Sequence, residues 1–307
     1  MPETAAADWI AVDWGSSNLR AWAMTDAGDA LAEAVAATGA SGLDPEGFEP
    51  VLLAAVGNWL GEGARTDVVV CGMAGARGAW IEAPYAAVPC APGPAAFARA
   101  PTRDPRLAVR ILPGLRQDAP ADVMRGEETQ IAGLLAGEPR FEGVACLPGT
   151  HTKWCHLSAG EVVSFASYMT GEIFALMATQ SVLRRTVAAE GWSEADFLDA
   201  VEDGLARPER VAARLFGLRA EALLHGLEPE RARARLSGML IGAELAGARP
   251  YWLGRDVVLI GASALAEAYR AALGLGGLAA RIVDATAMAR AGLAAARAQL
   301  QSERGRP

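Results

Sequence analysis

The chain is poor in the residues that build disulfides, metal centres and nucleic-acid surfaces. Its 307 residues include only four cysteines and three histidines, and no two cysteines form a CxxC pair. Asp and Glu number 36 against 28 Lys and Arg, which gives a formal charge of −8. Because phosphate contacts need clustered Lys and Arg, we expect no nucleic-acid partner. The sparse, unpaired cysteines predict four reduced thiols in a cytoplasmic protein.

Long apolar segments are also missing. The first strand-like run begins near Asp8, so we expect no signal peptide. The uncharged stretch Ala86–Ala98 is interrupted by prolines, so we expect no membrane segment. Apolar residues make up 52% of the chain and charged residues 21%, so the chain has enough apolar side chains to build hydrophobic cores. The length suggests two domains.

The order of the apolar runs predicts an α/β protein of two related halves. Strand-like runs surround the turn Gly15–Asn18 near the start and the turn Pro148–Thr152, 134 residues later. After the second turn the sequence is mostly helical from Gly171 to Ala248. We expect an N-terminal lobe over residues 1–135 and a C-terminal lobe over 141–307, with the last helix (Ala285–Gln301) packing back on the N-terminal lobe.

Several single elements can be predicted between these landmarks. Asp44 and Pro45 have the chemistry of an N-cap and first turn, and they predict a helix over Glu46–Leu60. A buried strand at Asp67–Cys71 runs into a glycine-rich loop, and a helix follows at Gly126–Ala136.

Both turns are rich in groups that can hold phosphate oxygens. A Gly/Ser/Thr turn between strands exposes backbone N–H groups and hydroxyls. The candidates are Gly15, Ser16, Ser17 and Asn18 in the first turn and Gly149, Thr150, His151, Thr152 and Lys153 in the second. One such turn is ordinarily a plain hairpin, but two could hold the phosphate chain of a nucleotide from both sides. Asp13 would orient Mg²⁺ through water, or else cap its turn.

Gly261 and Ala262 follow a buried strand and precede a helix. Small residues at this place let the backbone approach a flat ligand such as a purine. Tight strand-to-helix packing explains them equally well.

Together these segments resemble the sugar-kinase, heat-shock-70 and actin superfamily. Asp13–Asn18 is similar to its first phosphate motif, Leu147–Trp154 to its second and Val257–Ala262 to its adenosine motif. The resemblance implies two related lobes of the ribonuclease-H-like, actin-like ATPase fold, with a nucleotide cleft between them. It also implies ATP and Mg²⁺ as cofactors.

Within that superfamily the sequence resembles the 2-keto-3-deoxygalactonate kinases from about Ile10 to Leu293. The motifs that carry this resemblance are Asp122–Gln130, Pro148–Trp154, Tyr168–Glu172, and Cys71–Arg77 with Trp80, Pro84 and Tyr85. The resemblance implies phosphorylation of the terminal hydroxyl of 2-dehydro-3-deoxy-D-galactonate by ATP. Ala76 and Ala79 depart from the expected Ser and Gly in the loop assigned to the sugar acid, which leaves the exact substrate open.

Roles follow from what this reaction needs. Glu127 is our first candidate for the carboxylate that orients the acceptor hydroxyl, and Glu128 is the second. Both acids would also favour the N-terminus of a helix, whatever their chemistry. Glu172, next to a glycine, is a further candidate in the substrate site, with the same alternative.

The substrate carries a carboxylate, which an Arg fork binds best. Arg20, Arg77 and Arg125 each lie beside a turn or a glycine-rich loop, although a single Arg is more often a surface charge. Trp80 and Tyr85 could wall the sugar or belong to the core. Lys153 could touch a phosphate or pair on the surface.

The histidines do not indicate zinc. His151 and His156 would point to opposite faces of a strand, and a convincing fourth ligand is missing. We expect His151 to lend an N–H to a phosphate or to cap its turn.

Two rival functions stay open at this stage. One is another kinase of the same fold, acting on 2-keto-3-deoxygluconate or an amino sugar. The other is a nucleotide-switched binding protein without sugar phosphorylation. A homodimer is also left open. The partners we expect are ATP and a small sugar acid.

Overall fold

The computed structural model describes residues 7–93, 96–261 and 264–304. The chain forms two compact units. The first unit comprises Met1–Phe141, Ala159–Val163 and Ala285–Pro307, and the second comprises Glu142–Ser158 and Ser164–Asp284. The sequence divided the chain at 135–141 and placed the last helix against the N-terminal lobe. The first unit includes that helix, and it also includes the short segment Ala159–Val163, which the sequence assigned to the other lobe.

The strands run in chain order as β1 (Trp9–Trp14), β2 (Leu19–Met24), β3 (Ala30–Ala36), β4 (Thr66–Gly72), β5 (Tyr85–Ala87), β6 (Ala98–Arg99), β7 (Leu107–Ile111), β8 (Gly114–Asp118), β9 (Ala121–Met124), β10 (Gly143–Leu147), β11 (Thr152–Ser158), β12 (Glu161–Tyr168), β13 (Val257–Ile260) and β14 (Arg281–Val283). The helices are α1 (Phe48–Val56), α2 (Glu127–Gly137), α3 (Thr170–Gln180), α4 (Glu194–Ala206), α5 (Val211–His225), α6 (Pro229–Gly247), α7 (Arg249–Trp252), α8 (Ala264–Leu275) and α9 (Ala285–Arg304).

The main sheet of the first unit has the strand order β3-β2-β1-β4-β7-β6. β1 is antiparallel to β2 and parallel to β4, and β4 is parallel to β7. β1 is apolar on both faces because both are covered. Val12 and Trp14 pack with Phe48 of α1, while Trp9 packs in a second cluster with Leu293 of α9. Helix α9 is therefore part of the core of the first unit.

Helices α2 and α9 approach each other very closely. A Cβ at Gly133 would overlap the backbone oxygen of Met288, and a Cβ at Gly292 would overlap that of Thr129. Glycine at both positions lets the two backbones touch. This contact holds α2, and the acidic residues at its start, at a defined place in the first unit.

The main sheet of the second unit has the order β12-β11-β10-β13-β14. β10 is antiparallel to β11 and parallel to β13, and β13 is parallel to β14. The order of five strands therefore recurs, together with the directions that relate β1, β2, β4 and β7 in the other sheet. The two related halves predicted from the sequence are confirmed at this level. Helices α3 to α6 account for most of Gly171–Ala248, which confirms the predicted helical region.

Two local predictions differ from the structure. The helix predicted over Glu46–Leu60 is interrupted, since 3₁₀ turns flank α1, and Asp44 makes no side-chain cap hydrogen bond. The small sheet β5-β8-β9 was not predicted. Its strands are short and largely half-buried or exposed, so they show no apolar run in the sequence.

All four cysteines are free thiols, and Cys71, Cys146 and Cys155 are buried. Among the residues that the structure describes, no helix combines the length and hydropathy that crossing a membrane would need.

Candidate functional site

Asp13 on β1 and Glu127 at the start of α2 form an acidic cluster in the first unit, where β1 and β4 end. Asp13 and Cys71 are neighbours in register on these parallel strands, and the Cys71 thiol donates to Asp13 Oδ1 over 3.6 Å. The next residue, Gly72, touches Gly126: a Cβ built on Gly126 would lie 3.4 Å from the Gly72 Cα. Gly126 also has a φ of 110°, which favours glycine. This contact brings the start of α2, with Glu127, to Asp13.

The electrostatics of Asp13 show that the cluster is crowded with negative charge. Burial raises the pKa of the Asp13 carboxyl, and the nearby Glu127 raises it further. The hydrogen bond from Cys71 and the charge of Arg20, its register partner on β2, oppose this rise. A divalent cation would relieve the repulsion between two carboxylates.

The donor set fits Mg²⁺ better than zinc. No group of three or more His, Cys, Asp and Glu that could hold a metal occurs in the described part of the chain. Mg²⁺ does not need such a group, since it commonly binds one or two carboxylates together with waters and substrate phosphates. Asp13 and Glu127 could supply such carboxylates.

The two adjacent acids of α2 have different surroundings. Glu128 is buried, and its oxygens accept hydrogen bonds from the Gly126 N–H at 2.7 Å and the Thr129 hydroxyl at 3.1 Å. Burial, followed by repulsion from Glu127, raises the pKa of Glu128 to about 8. Glu127 is half-buried and accepts from the Arg125 N–H at 3.1 Å. Glu127 is therefore better placed to meet a ligand, while Glu128 organises the start of the helix.

The raised pKa of Glu128 leads to a stability prediction. Between the ordinary pKa of 4.5 and about 8, the unfolded chain has lost this proton and the folded chain retains it. The group's contribution is therefore complete below pH 4.5 and is lost as pH rises towards 8. Relative to wild type, Glu128→Gln should gain stability with pH at roughly 1.4 kcal/mol per unit. Urea unfolding of both proteins from pH 5 to pH 8 measures this difference.

The subtraction cancels the other titrating groups, because wild type and variant share them. Parallel stability curves for the two proteins would show that Glu128 is ionised in the folded state, and would remove the argument that it is neutral.

Arg125 is buried without a complete set of partners. Its guanidinium carbon lies 4.2 Å from the centre of the Tyr85 ring, and its Nη2 donates to the Ala83 carbonyl oxygen at 2.8 Å. Its Nη1 is buried and makes no hydrogen bond within the described residues. A buried charged donor without an acceptor is costly, so this site is suited to an anionic ligand.

The other predicted substrate residues of the first unit are placed differently. Arg20 pairs with Glu33 at 3.2 Å and donates to the Thr286 hydroxyl, and Arg77 is exposed and pairs with Glu82 at 3.4 Å. Neither is brought to Arg125 by a contact that the structure shows.

Trp80 lies in the core of the first unit. It is buried against Trp14 and Phe48, with ring centres 6.0 and 5.8 Å away. Its indole N–H donates to the Pro101 carbonyl oxygen at 3.1 Å. Of the two alternatives for Trp80, the structure supports a core residue rather than a wall of the sugar site.

The first turn presents its polar side chains outward. Ser16, Ser17 and Asn18 are exposed, and the Gly15 N–H donates to the Asn18 carbonyl oxygen at 2.9 Å. The backbone N–H groups of Ala40 and Ser41 support the turn by donating to the carbonyl oxygens of Gly15 and Ser16 at 2.9 and 3.0 Å. Sequence reasoning missed this support, which involves only backbone atoms.

The second turn is held by the start of α3. A Cβ at Gly171 would overlap the Gly149 carbonyl oxygen, and the Glu172 N–H donates to the Thr150 carbonyl oxygen at 3.0 Å. His151 Nε2 lies 2.6 Å from Glu172 Oε2. Glu172, which the sequence analysis placed in the substrate site, contacts the imidazole of the turn in this structure.

The end of the second turn is buried. Thr152 is fully buried and its hydroxyl lies 3.0 Å from the Tyr269 hydroxyl, so its side chain is part of the core and not a free phosphate ligand. Lys153 is also buried. Thr150 and His151 remain exposed for contact with a ligand.

A cavity of about 1240 Å³ lies in the second unit. Phe174 and Trp192 line it, and the Arg233 guanidinium lies 5.0 Å from the centre of the Phe174 ring. Small residues of α8 form another wall: Ala264, Ala268, Ala271 and Gly274. Glu190, Glu194 and Glu267 add carboxylates, which can accept hydrogen bonds from hydroxyls, and Glu267 is paired with Arg270 of the same wall. The cavity suits a flat, apolar ring with attached hydroxyls.

The predicted adenosine motif leads towards this cavity. Gly261 is buried at the end of β13, and its N–H donates to the Val283 carbonyl oxygen at 3.0 Å. A Cβ at Gly261 would lie 3.0 Å from the Ala266 Cβ, so close packing alone explains this glycine. Ala262 lies outside the described residues. Sequence reasoning missed Trp192 and Phe174, because no motif surrounds them.

Comparison with known families decides the class of the protein. The profile of the 2-keto-3-deoxy-galactonokinase family matches residues 13–296. The chain belongs to this family. The phosphotransferase class predicted from its motifs is confirmed.

Relatives of the galactonokinase family support this membership. A Rhizobium meliloti protein designated a probable 2-dehydro-3-deoxygalactonokinase is 41% identical over 302 residues, covering 95% of this chain and 97% of the relative. The 2-dehydro-3-deoxygalactonokinase of Escherichia coli (strain K12) is 32% identical over 271 residues, covering 87% and 89%.

Solved structures confirm the fold class. A Sinorhizobium meliloti crystal structure with the same galactonokinase designation has a TM-score of 0.87 at 40% identity, covering 95% of this chain and 96% of that one. An activator of 2-hydroxyisocaproyl-CoA dehydratase from Clostridium difficile has a TM-score of 0.55 at 12% identity, covering 97% and 98%. The second likeness concerns the fold alone.

Proposed function

We propose that this enzyme transfers the γ-phosphoryl group of ATP to the terminal hydroxyl of 2-dehydro-3-deoxy-D-galactonate, in the cytoplasmic breakdown of galactonate. Family membership supports the reaction type. The structural observation that carries the substrate class is the buried guanidinium of Arg125, whose Nη1 lacks an acceptor. A sugar-acid carboxylate supplies that acceptor and neutralises the charge.

The first unit supplies the groups for the acceptor sugar. Arg125 and Tyr85 would hold the carboxylate end. Glu127 would accept a hydrogen bond from the terminal hydroxyl and take its proton as the hydroxyl oxygen bonds to the γ-phosphorus, while the bond from that phosphorus to the bridging oxygen breaks and ADP leaves. Phosphoryl transfer depends mainly on positioning and charge stabilisation, so one well-placed carboxylate is sufficient for this role.

Mg²⁺ would be held by Asp13 through water and would neutralise charge on the transferring phosphoryl group. The burial of Asp13 and its repulsion by Glu127 support this assignment, because both favour a nearby cation. Arg20 is the register partner of Asp13 on the neighbouring strand β2, and it adds a positive charge on the same face of the sheet.

The second unit supplies groups for the nucleotide. The exposed Thr150 and His151 at its turn would bind phosphate oxygens, with Glu172 orienting the imidazole. The cavity lined by Phe174 and Trp192 would take the adenine ring, and its carboxylates would take the ribose hydroxyls.

The assignment of the cavity can be tested at Trp192. Stacking of a base on an aromatic ring contributes about 1–3 kcal/mol. Trp192→Ala should therefore raise the KM for ATP about 5- to 150-fold and leave the KM for the sugar acid unchanged. Trp192→Phe is the matched control, since it keeps an aromatic ring and should raise the KM less. Steady-state kinetics at saturating co-substrate gives both constants. An unchanged KM for ATP in Trp192→Ala would exclude this cavity as the base site.

The function itself is tested by an ADP-release assay with Mg-ATP and a panel of acceptors. The panel contains 2-dehydro-3-deoxy-D-galactonate, its gluconate epimer and N-acetylglucosamine. Turnover with the galactonate compound supports the proposal. Preference for the epimer would move the enzyme to the rival sugar acid, a change that the departures at Ala76 and Ala79 make worth testing. Nucleotide binding without turnover would favour the switch protein.

A further inference from the structure

Glu244 is a buried carboxylate in α6 that none of the motifs includes. Its Oε1 accepts a hydrogen bond from the Trp154 indole N–H at 2.8 Å. Its Oε2 accepts one from the Tyr269 hydroxyl at 2.7 Å and another from the Thr170 hydroxyl. Three donors from three different elements therefore converge on one side chain.

Each of these donors stands beside a nucleotide-binding element of the second unit. Trp154 lies on β11, just after the second turn, and Thr170 is the first residue of α3, two positions before Glu172. Tyr269 lies on α8, the helix that lines the cavity. Its hydroxyl also reaches the Thr152 hydroxyl, at 3.0 Å. The carboxylate thus connects the turn, the start of α3 and α8.

Packing alone does not explain a carboxylate at this place. Burial raises the pKa of Glu244, whereas the hydrogen bonds from Thr170, Trp154 and Tyr269 lower it. An apolar side chain of similar size would avoid this desolvation cost. What a fully satisfied polar network adds is one defined arrangement of the elements that it joins.

We propose that Glu244 is a positioning residue, which sets the second turn and the start of α3 relative to α8 so that the nucleotide is bound in a productive geometry. The inference rests on the proposed function, since it assumes that these elements hold ATP. Small displacements of binding groups are expensive in such sites, because positioning provides much of the rate.

The test compares Tyr269→Phe and Glu244→Gln with Trp252→Phe. Tyr269→Phe removes only the hydroxyl that links Glu244 to Thr152. Trp252→Phe is the matched control, because Trp252 lies in the same core cluster and donates a buried hydrogen bond, at 2.8 Å, to the Leu245 carbonyl oxygen. Mg-ADP binding is measured by calorimetry, the KM values and kcat by steady-state kinetics, and the Tm by calorimetric scan.

We expect Tyr269→Phe and Glu244→Gln to weaken Mg-ADP binding and to raise the KM for ATP about tenfold, the equivalent of about 1.4 kcal/mol. The KM for the sugar acid should change less than about twofold, which is no more than a purely structural substitution would cause. All three variants should lower the Tm by similar amounts. Trp252→Phe alone should leave Mg-ADP binding and the KM for ATP unchanged.

Lowered Tm values with nucleotide constants equal to wild type in both variants would overturn the proposal and leave Glu244 a structural residue. Equal effects on the KM for ATP and the KM for the sugar acid would overturn it as well. If Glu244→Gln does not fold, Tyr269→Phe carries the comparison. Wild type that binds Mg-ADP but phosphorylates no sugar acid would refute the proposed function, while the ADP-binding comparison would still decide the role of Glu244. Failure of wild type to bind Mg-ADP would overturn both.

Discussion

Glu127→Gln should lower kcat by about 10²–10⁴-fold, the usual contribution of a positioned general base. The amide keeps the size and the hydrogen-bonding oxygen of the carboxylate but cannot accept the proton of the acceptor hydroxyl. The KM values should change little, because the loss occurs mainly in the transition state. Steady-state kinetics with both substrates measures these constants.

Glu128→Gln is the matched control for this loss. Glu128 is buried, its oxygens are already occupied by Gly126 and Thr129, and its pKa is raised to about 8. A carboxyl that is already neutral at pH 7 loses little when it becomes an amide. We expect its kcat to fall by less than about tenfold. A larger loss in Glu128→Gln than in Glu127→Gln would reverse the two roles.

Arg125→Lys is expected to raise the KM for the sugar acid by roughly 10–150-fold. Lysine keeps the charge but loses the planar fork that binds two carboxylate oxygens, and hydrogen bonds to charged groups are worth about 1.5–3 kcal/mol. The KM for ATP should stay near its wild-type value. A direct measurement uses the ligand-induced rise in Tm, which the sugar acid should cause in wild type and lose in the variant at the same concentration.

Arg77→Lys separates this effect from a general loss of positive charge. Arg77 is exposed and pairs with Glu82, so its replacement should change the KM for the sugar acid less than about twofold. Equal losses at the two positions would show that the substrate carboxylate is bound by diffuse charge. A full Tm rise with sugar acid in Arg125→Lys would refute the assignment of the anion site to Arg125.

Several parts of the fold could be read from local sequence. Alternation and turn chemistry indicated both hairpins, and their common order indicated two related halves. The strands β1 and β10 are recognisable because both faces are buried, which makes nearly every residue apolar. The reaction class followed from the resemblance of several motifs to the 2-keto-3-deoxygalactonate kinases, and the turns by themselves indicated only groups that can hold phosphate oxygens.

The sequence alone could not assign different roles to residues of similar chemistry. Glu127 and Glu128 are adjacent and identical in chemistry, and only burial and the hydrogen bonds from Gly126 and Thr129 distinguish them. Trp80 and Tyr85 were both candidates for lining the sugar site or for the core. Trp80 packs with Trp14 and Phe48 in the core, whereas Tyr85 stacks on Arg125.

The sequence by itself therefore determined the two related α/β halves, the positions of the two Gly/Ser/Thr turns and the acids near the start of α2, because each depends on neighbours along the chain. Tertiary structure decided that Nη1 of Arg125 is buried without an acceptor, which side chains form the cavity and which donors surround Glu244. Those properties depend on contacts between segments far apart in sequence: Gly72 against Gly126, Gly133 against Met288, and Trp154, Thr170 and Tyr269 around one carboxylate. Burial and desolvation follow from such contacts, and no local pattern encodes them.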